Sequence, residues 1–315
     1  MKIAFIDDIH AVYERTAGVA RLRERAHVDV FTGPFGTPDQ LRSYTALVAT
    51  RERTRFDAAL LAQLPELKII AQTGNHAYHI DFAATKRQGV IVAKAMGGFS
   101  IATAELTIGL MLAIMRRIPA TDLAVRKGAW PRPLGIELHG KVLGIVGLGH
   151  IGSYVAKVAA AFGMRVIAWS PKPNAARAKA AGATFVDLDQ LVSEADVISI
   201  HATVTDKTRR LINRDRLRRM KPTAYLVNTA RAAIVDETAL AEALRANAIA
   251  GAALDVFDRE PLPANHPLLD LQNVVLTSHI GWPTDTKYAE FADAAADCLL
   301  AFMDGREVPQ FTGEE

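Results

Sequence analysis

The sequence has little cysteine, no long apolar run and almost no excess of charge. Cys298 is its only cysteine, which excludes an internal disulfide and suits a reducing compartment. The longest apolar run, Leu106 to Met115, is too short for a membrane helix, which needs about 20 residues. The first residues do not resemble a signal peptide. We therefore expect a cytoplasmic location and no membrane partner.

The small positive charge does not indicate a nucleic-acid partner. There are 37 basic and 34 acidic residues, a net charge of +3. The densest basic stretch, residues 214–221, includes Leu217 and Met220 and is typical of a solvated helix face. The nine histidines form no HExxH pattern and no cysteine cluster accompanies them, so we expect no metal.

Short apolar runs alternate with helical patterns along the chain, which predicts an α/β protein with parallel sheets covered on both faces. The candidate strands of the first series are Lys2–Ile6, Val28–Phe31, Ala46–Ala49, Lys68–Ala71 and Val90–Ala93. Those of the second are Lys141–Val146, Arg165–Trp169, Asp196–Ile200, Ala224–Asn228, Gly251–Val256 and Val274–Thr277. Two series in tandem suggest two doubly wound domains.

Two helical patterns mark the domain boundaries. Ala102–Ile118 reads as a helix that stops at Pro119, and Thr284–Met303 reads as an amphipathic helix that can return to the first domain. The expected division is an outer domain of residues 1–99 and 283–315 and a central nucleotide domain of residues 100–282. Hinges are expected near 99–101 and 281–284.

The most informative stretch is Val142–Gly152, an apolar strand that runs into a GxGxxG turn before a helical pattern over Ser153–Phe162. Gly147 permits the turn, Gly149 admits a pyrophosphate, and Gly152 allows close packing of helix and strand. The motif alone is weak, but between a strand and a helix it predicts a dinucleotide held at the helix N-terminus, with His150 and Ile151 beside it.

Three chemically suited residues follow later strands, at the sheet edge that holds the glycine turn. Arg231 can hold a carboxylate, and His279 can exchange a proton near neutral pH. A carboxylate such as Glu260 stabilises an imidazolium and fixes its tautomer. With a nicotinamide to supply hydride, the trio can reduce a 2-keto acid. Taken alone, an arginine such as Arg231 is more often a surface ion-pair donor, a glutamate such as Glu260 a turn residue, and a histidine such as His279 a structural residue.

Four stretches resemble the D-isomer-specific 2-hydroxyacid dehydrogenase family. They are Val142–Gly152, Val227–Glu237 (VNTARAAIVDE), Ala253–Leu269 (ALDVFDREPLPANHPLL) and Asn273–Gly281 (NVVLTSHIG). The resemblance implies a Rossmann domain, a discontinuous flavodoxin-like substrate domain and a homodimer. It implies Arg231, Glu260 and His279 as catalytic residues, with Arg231 also binding substrate. Cofactor contacts are implied for Asp255, Thr103, Ala202, Thr203, Thr229 and Ala230.

One departure from the family pattern concerns the cofactor. Ser170 stands where the family usually has an acid for the ribose hydroxyls, about 20 residues after the glycine turn. Serine does not repel a 2′-phosphate, and Lys172 can pair with one. The sequence therefore slightly favours NADP over NAD, although Lys172 could simply point to solvent.

A second departure lies in the loop 73–79, where backbone amides near Asn75 and His76 are expected to bind the substrate carboxylate. The side chain of His76 could add a contact or turn outward. Trp282 has an equally open role, in the pocket, a hinge or a dimer. The expected activity is NAD(P)-dependent hydride transfer on a small D-2-hydroxy or 2-keto acid such as glyoxylate or hydroxypyruvate. The alternative is a dinucleotide-sensing, corepressor-like interaction protein.

Overall fold

The computed structural model describes residues 1–33, 37–98 and 101–313. The chain divides into two compact units, the first formed by Met1–Gly98 with Pro283–Glu315 and the second by Phe99–Trp282. The predicted first hinge, 99–101, falls largely on residues 99 and 100, which lie outside the described residues. No helix in the described part of the chain has the length and apolar character to cross a membrane.

The first unit is built on a parallel sheet. Its strands are β1 (Lys2–Phe5), β2 (His27–Val30), β3 (Ala46–Ala49), β4 (Ile69–Thr73) and β5 (Ile91–Ala95). They are ordered β2-β1-β3-β4-β5, the flavodoxin-like doubly wound order. Its helices are α1 (Ala17–Arg23), α2 (Ala58–Ala62), α3 (Phe82–Gln88) and, from the end of the chain, α11 (Asp285–Met303).

Helix α11 belongs to the first unit because it buries a stripe of side chains there. Tyr288, Phe291 and Leu299 are each at most 1% exposed. The helix also passes very close to α1: a Cβ atom on Gly18 would lie 2.3 Å from the backbone of Ala292. The hydroxyl of Thr284 accepts from the Lys287 amide and caps the first turn.

The second unit contains a wider parallel sheet. Its strands are β6 (Val142–Val146), β7 (Arg165–Trp169), β8 (Ala183–Phe185), β9 (Val197–Ile200), β10 (Tyr225–Asn228), β11 (Gly251–Leu254) and β12 (Val274–Leu276). The order β12-β11-β10-β9-β6-β7-β8 is that of a Rossmann fold, with the reversal of winding between β6 and β9. The expected α/β class with two doubly wound parallel sheets is therefore confirmed.

Helices cover both faces of this sheet. They are α4 (Ile101–Met115), α5 (Ile118–Arg126), α6 (His150–Ala161), α7 (Ala175–Ala180), α8 (Leu188–Glu194), α9 (Arg214–Arg219) and α10 (Glu237–Arg245). Short 3-10 segments occupy Ala232–Ile234 in this unit and Tyr13–Arg15 and Pro38–Gln40 in the first unit. Strands such as β6, β9 and β11 are buried throughout, as sheets covered on both faces require. In α9, Leu217 is buried while Arg214, Arg218 and Arg219 are exposed, so these arginines form a solvated helix face.

Two helix predictions were wrong in their boundaries. The helix expected to run to Ile118 ends at Met115, because Arg117 adopts a left-handed backbone with φ 56°. Pro119 does not stop that helix but lies in the first turn of α5, where its missing N–H costs nothing. The helix after the glycine turn begins at His150, three residues earlier than expected, with Gly149 as its N-cap.

Candidate active site

The glycine turn joins β6 to α6 at the reversal of the sheet, and its three glycines meet different demands. Gly147 has φ 100°, and a Cβ there would lie 2.5 Å from the Ala202 amide nitrogen. A Cβ on Gly152 would lie 2.3 Å from the Gly147 carbonyl oxygen. By contrast, no described atom comes within 4 Å of the Cβ position of Gly149. Gly147 and Gly152 are therefore required by the fold, and Gly149 leaves open space at the N-terminus of α6.

That open space fits a dinucleotide pyrophosphate. The first-turn amides of α6 have no partners within the helix and lie at the positive end of its dipole. His150 is exposed and Ile151 is half-buried at this end of the helix. The residues present therefore suit the cofactor that the sequence predicts.

Ser170 is fixed against the glycine turn. Its Oγ accepts a hydrogen bond of 2.8 Å from the Leu148 amide, inside the GxGxxG stretch. Arg177, in α7, donates from Nη1 to the Leu148 carbonyl at 3.4 Å, while Lys172 is exposed. The end of β7 thus presents a hydroxyl with two basic residues near it. Arg177 is not among the cofactor contacts that the sequence predicts.

The other expected cofactor contacts lie in loops after β9 and β10. Ala202 is 8% exposed and packs on Gly147, and the carbonyl oxygen of Thr203 accepts from Thr208 Oγ1 at 2.6 Å. The hydroxyl of Thr229 shares a 2.7 Å hydrogen bond with that of Thr107. Ala230 donates its amide to Asn228 Oδ1 at 3.0 Å. These polar groups hold the loops in shape at the sheet edge.

Arg231, Glu260 and His279 follow β10, β11 and β12, and all lie in the second unit. His279 Nδ1 lies 2.7 Å from Glu260 Oε2, and the Phe257 amide donates to Glu260 Oε1 at 3.0 Å. Burial alone would raise the pKa of Glu260. The hydrogen bonds from His279 and Phe257, together with the positive charges of His279 and Arg231, hold that pKa below its usual value. The fold therefore brings the predicted trio together around an ionised carboxylate.

Asp255 fixes the loop that carries His279. Its Oδ1 accepts from Thr277 Oγ1 at 2.6 Å and from the Ile280 amide at 2.9 Å, and its Oδ2 accepts from the Gly281 amide at 2.9 Å. Asp255 is fully buried. These bonds hold His279 at φ 57°, a left-handed conformation that is uncommon outside glycine. The contacts of Asp255 therefore position the loop 277–281.

Two hydroxyls on α4 form hydrogen bonds to the loops that follow β10 and β12. Thr103 donates to the Gly281 carbonyl at 2.9 Å, and Thr107 donates to the Thr103 carbonyl at 2.7 Å as well as contacting Thr229. Thr103 was expected beside the cofactor, and its hydroxyl is engaged with the histidine loop. Thr107 was not singled out, although a threonine pair spaced by four residues on an apolar helix was a usable signal.

The expected substrate loop lies in the first unit, after β4. Asn75 is exposed and His76 is half-buried, with the His76 and Tyr78 ring centroids 6.1 Å apart. The turn starts at Gly74, which has φ 86°. Substrate binding by Asn75 and His76 stays a prediction.

A Rossmann sheet with an open glycine turn and an arginine, a glutamate and a histidine at the same strand ends defines a nucleotide-dependent oxidoreductase. The family model described as D-isomer specific 2-hydroxyacid dehydrogenase, NAD binding domain, matches residues 108–281. The chain therefore belongs to the D-isomer-specific 2-hydroxyacid dehydrogenases, oxidoreductases that act on a CH–OH group, as the four motifs predicted.

Relatives in this family carry different names. The chain is 44% identical over 270 residues to a glyoxylate reductase of Aeropyrum pernix, covering 83% of this chain and 81% of that protein. It is 42% identical to a D-3-phosphoglycerate dehydrogenase of Archaeoglobus fulgidus, covering 78% of this chain and 47% of the relative. The solved phosphoglycerate oxidoreductase of Vibrio cholerae is 36% identical with a TM-score of 0.87, covering 97% of this chain and 99% of the other.

Proposed function

We propose that this protein is a reductase of small 2-keto acids, such as glyoxylate or hydroxypyruvate, that prefers NADPH to NADH. The observation that carries the proposal is the 2.7 Å contact between His279 and Glu260. The positive charge of Arg231 also helps to lower the pKa of the Glu260 carboxyl. An acid paired with a carboxylate and a guanidinium fork are the groups that reduction of a 2-keto acid needs.

The roles of the trio follow from their atoms. Because His279 Nδ1 faces Glu260, its Nε2 is the atom left to deliver a proton to the substrate oxygen. Glu260 holds the ring orientation and places a negative charge beside the ring. Arg231 binds the substrate carboxylate and polarises the adjacent carbonyl. When bound, the nicotinamide supplies the hydride. Gly147, Gly149 and Gly152, with the amides of His150 and Ile151, would hold its pyrophosphate.

The preference for NADPH rests on the charges beside Ser170. The position offers a hydroxyl instead of a carboxylate, and Lys172 and Arg177 are the basic residues near it. A cation at the end of β7, the second strand of the nucleotide-binding unit, suits a 2′-phosphate, whereas an acid there would repel it.

The remaining parts of the proposal concern the first unit and the assembly. We assign the first unit, with Asn75 and His76, to substrate binding and expect a homodimer. Among relatives, the Aeropyrum pernix glyoxylate reductase supports a small 2-keto acid, since its similarity extends over most of both chains. The Archaeoglobus fulgidus phosphoglycerate dehydrogenase is covered over about half its length and makes oxidation of 3-phosphoglycerate the competing activity to test.

The decisive experiment follows oxidation of NADPH and of NADH by the purified protein. The substrates are glyoxylate, hydroxypyruvate, pyruvate and one bulkier 2-keto acid, with 3-phosphoglycerate and NAD+ in the reverse assay. We expect the highest kcat/KM with NADPH and a small acid. The matched control, His279→Ala, should lose about a hundredfold or more of the turnover and still bind NADPH. Dinucleotide binding without turnover of any acid would favour the interaction-protein alternative.

A further inference from the structure

The loop that carries Glu260 is fastened at both ends by one side chain, Glu237. This residue begins α10, and its carboxylate is mostly buried. Glu237 Oε2 accepts from the Asp258 amide at 3.0 Å, and Glu237 Oε1 lies 3.0 Å from His266 Nε2. Asp258 and His266 delimit a short loop, and Glu260 lies inside it.

His266 is built to donate to Glu237. Its Nδ1 accepts a hydrogen bond of 3.4 Å from the Leu268 amide. Because Nδ1 is an acceptor, the ring proton lies on Nε2, which faces the Glu237 carboxylate. Its own amide donates to the Pro263 carbonyl at 3.0 Å, and Leu268 beyond it is fully buried. The far end of the loop is thus anchored to the core through His266 as well as through Leu268.

Glu260 needs this support because it is itself partly exposed. Its two oxygens bridge the Phe257 amide and His279 Nδ1, so its position depends on where the turn at residues 257–260 lies. The Asp258 amide, held by Glu237, is the next amide in that turn. Displacement of a supporting residue by about 1 Å can cost about a hundredfold in rate.

We propose that Glu237 and His266 form a positioning pair that sets Glu260 against His279. This inference rests on the proposed function, in which Glu260 acts on His279. Neither member of the pair is a catalytic residue. Through Asp258 and His266, Glu237 holds both ends of the loop that contains Glu260.

The test compares Glu237→Ala with Glu242→Ala in the full-length protein. Glu242 lies on the same helix, pairs with Arg214 and is solvent-exposed, so it is a matched control. We expect Glu237→Ala to lower kcat about tenfold or more while leaving NADPH affinity unchanged. The KM for the 2-keto acid should change little, because the loss lies in the positioning of Glu260 and not in substrate binding. Glu242→Ala should change neither kcat nor the affinity for NADPH.

A double-mutant cycle with Glu260→Gln separates positioning from general weakening of the fold. If Glu237 acts through Glu260, adding Glu237→Ala to Glu260→Gln should lower kcat little further. Additive losses, or an unchanged kcat in Glu237→Ala, would overturn the inference. His266→Ala, which frees only one end of the loop, should show the same coupling in smaller measure and serves if Glu237→Ala does not fold. If Glu260→Gln itself leaves turnover unchanged, the proposed function fails instead.

Discussion

His279 Nδ1 lies 2.7 Å from Glu260 Oε2, although 19 residues separate the two along the chain. The contact joins residues that follow neighbouring strands, β12 and β11, of the Rossmann sheet. Its geometry fixes which imidazole nitrogen faces protein and which is available to substrate. Most of the expected behaviour of the enzyme follows from this pair and its neighbours.

Replacing Glu260 by glutamine should shift the pH dependence of reduction. The pKa of Glu260 is held below its usual value, so its charge is present at neutral pH and is lost only in acid. Glutamine has one oxygen to accept from either the Phe257 amide or His279 Nδ1, and it carries no charge. In Glu260→Gln, kcat should therefore fall about tenfold or more at neutral pH, and the decline in acid that loss of the Glu260 charge gives the wild type should be absent. The same decline in acid in both proteins would refute the electrostatic role of Glu260.

Arg231→Lys should separate charge from geometry at the substrate carboxylate. Lysine keeps the positive charge but loses the planar fork that can pair with both carboxylate oxygens. A lost hydrogen bond to a charged group costs about 1.5–3 kcal/mol, so kcat/KM should fall about ten- to a hundredfold. The KM for the keto acid should rise, and the KM for NADPH should not. Arg245→Lys, an exposed arginine at the far end of α10, is the control.

Ser170→Asp should reverse the cofactor preference. An aspartate oxygen can still accept from the Leu148 amide, so the glycine turn keeps its support while a negative charge appears beside it. Repulsion of a 2′-phosphate should raise the KM for NADPH about tenfold or more, with little effect on NADH. Ser170→Ala removes the hydrogen bond without adding charge and should weaken both cofactors alike. A wild-type protein that prefers NADH would contradict the assignment at the outset.

Much of this molecule was predictable because its strands are buried on both faces. Continuous apolar runs located the cores of eleven strands, although several ends differ by one or two residues. The strand Ala183–Phe185 was missed because it has three residues, lies at the sheet edge and is not fully buried. The glycine turn and the trio were found because strand order brings their positions to one sheet edge.

The supporting contacts were not predictable in the same way. Asp255 stays a predicted cofactor contact, and the bonds from its carboxylate to the Ile280 and Gly281 amides were not indicated by the sequence. Glu237 and His266 meet across 29 residues, and neither periodicity nor spacing indicates that pairing. Such contacts depend on how loops pack after the sheet forms, which a single sequence does not encode locally.

Gly149→Ala and Gly152→Ala should fail in different ways. A methyl on Gly152 would collide with the Gly147 carbonyl, so this variant should lose about 1–3 kcal/mol of stability and unfold at a lower temperature. Gly149 has φ −84° and open space around its Cβ position, so Gly149→Ala should fold normally. It should nevertheless bind NADPH more weakly, because the methyl occupies the space for the pyrophosphate. Thermal unfolding and cofactor titration measure the two effects. Equal melting temperatures for the two variants would contradict this division of roles.

The first unit should lose stability in mild acid because of His79. This residue is 8% exposed, with Nε2 lying 3.1 Å from Gln72 Oε1. Burial lowers the pKa of His79, and the charge of Arg51 adds to the effect against the opposing charge of Glu52. Below about pH 6.5 the unfolded chain takes up a proton that the folded protein binds less well, so the free energy of unfolding decreases as the pH is lowered.

In His79→Gln, the amide can keep the bond to Gln72 without titrating. The drop in melting temperature between about pH 7.5 and pH 5.5 should therefore be smaller in His79→Gln than in the wild type. An equal drop in both proteins would show that His79 is not the group responsible.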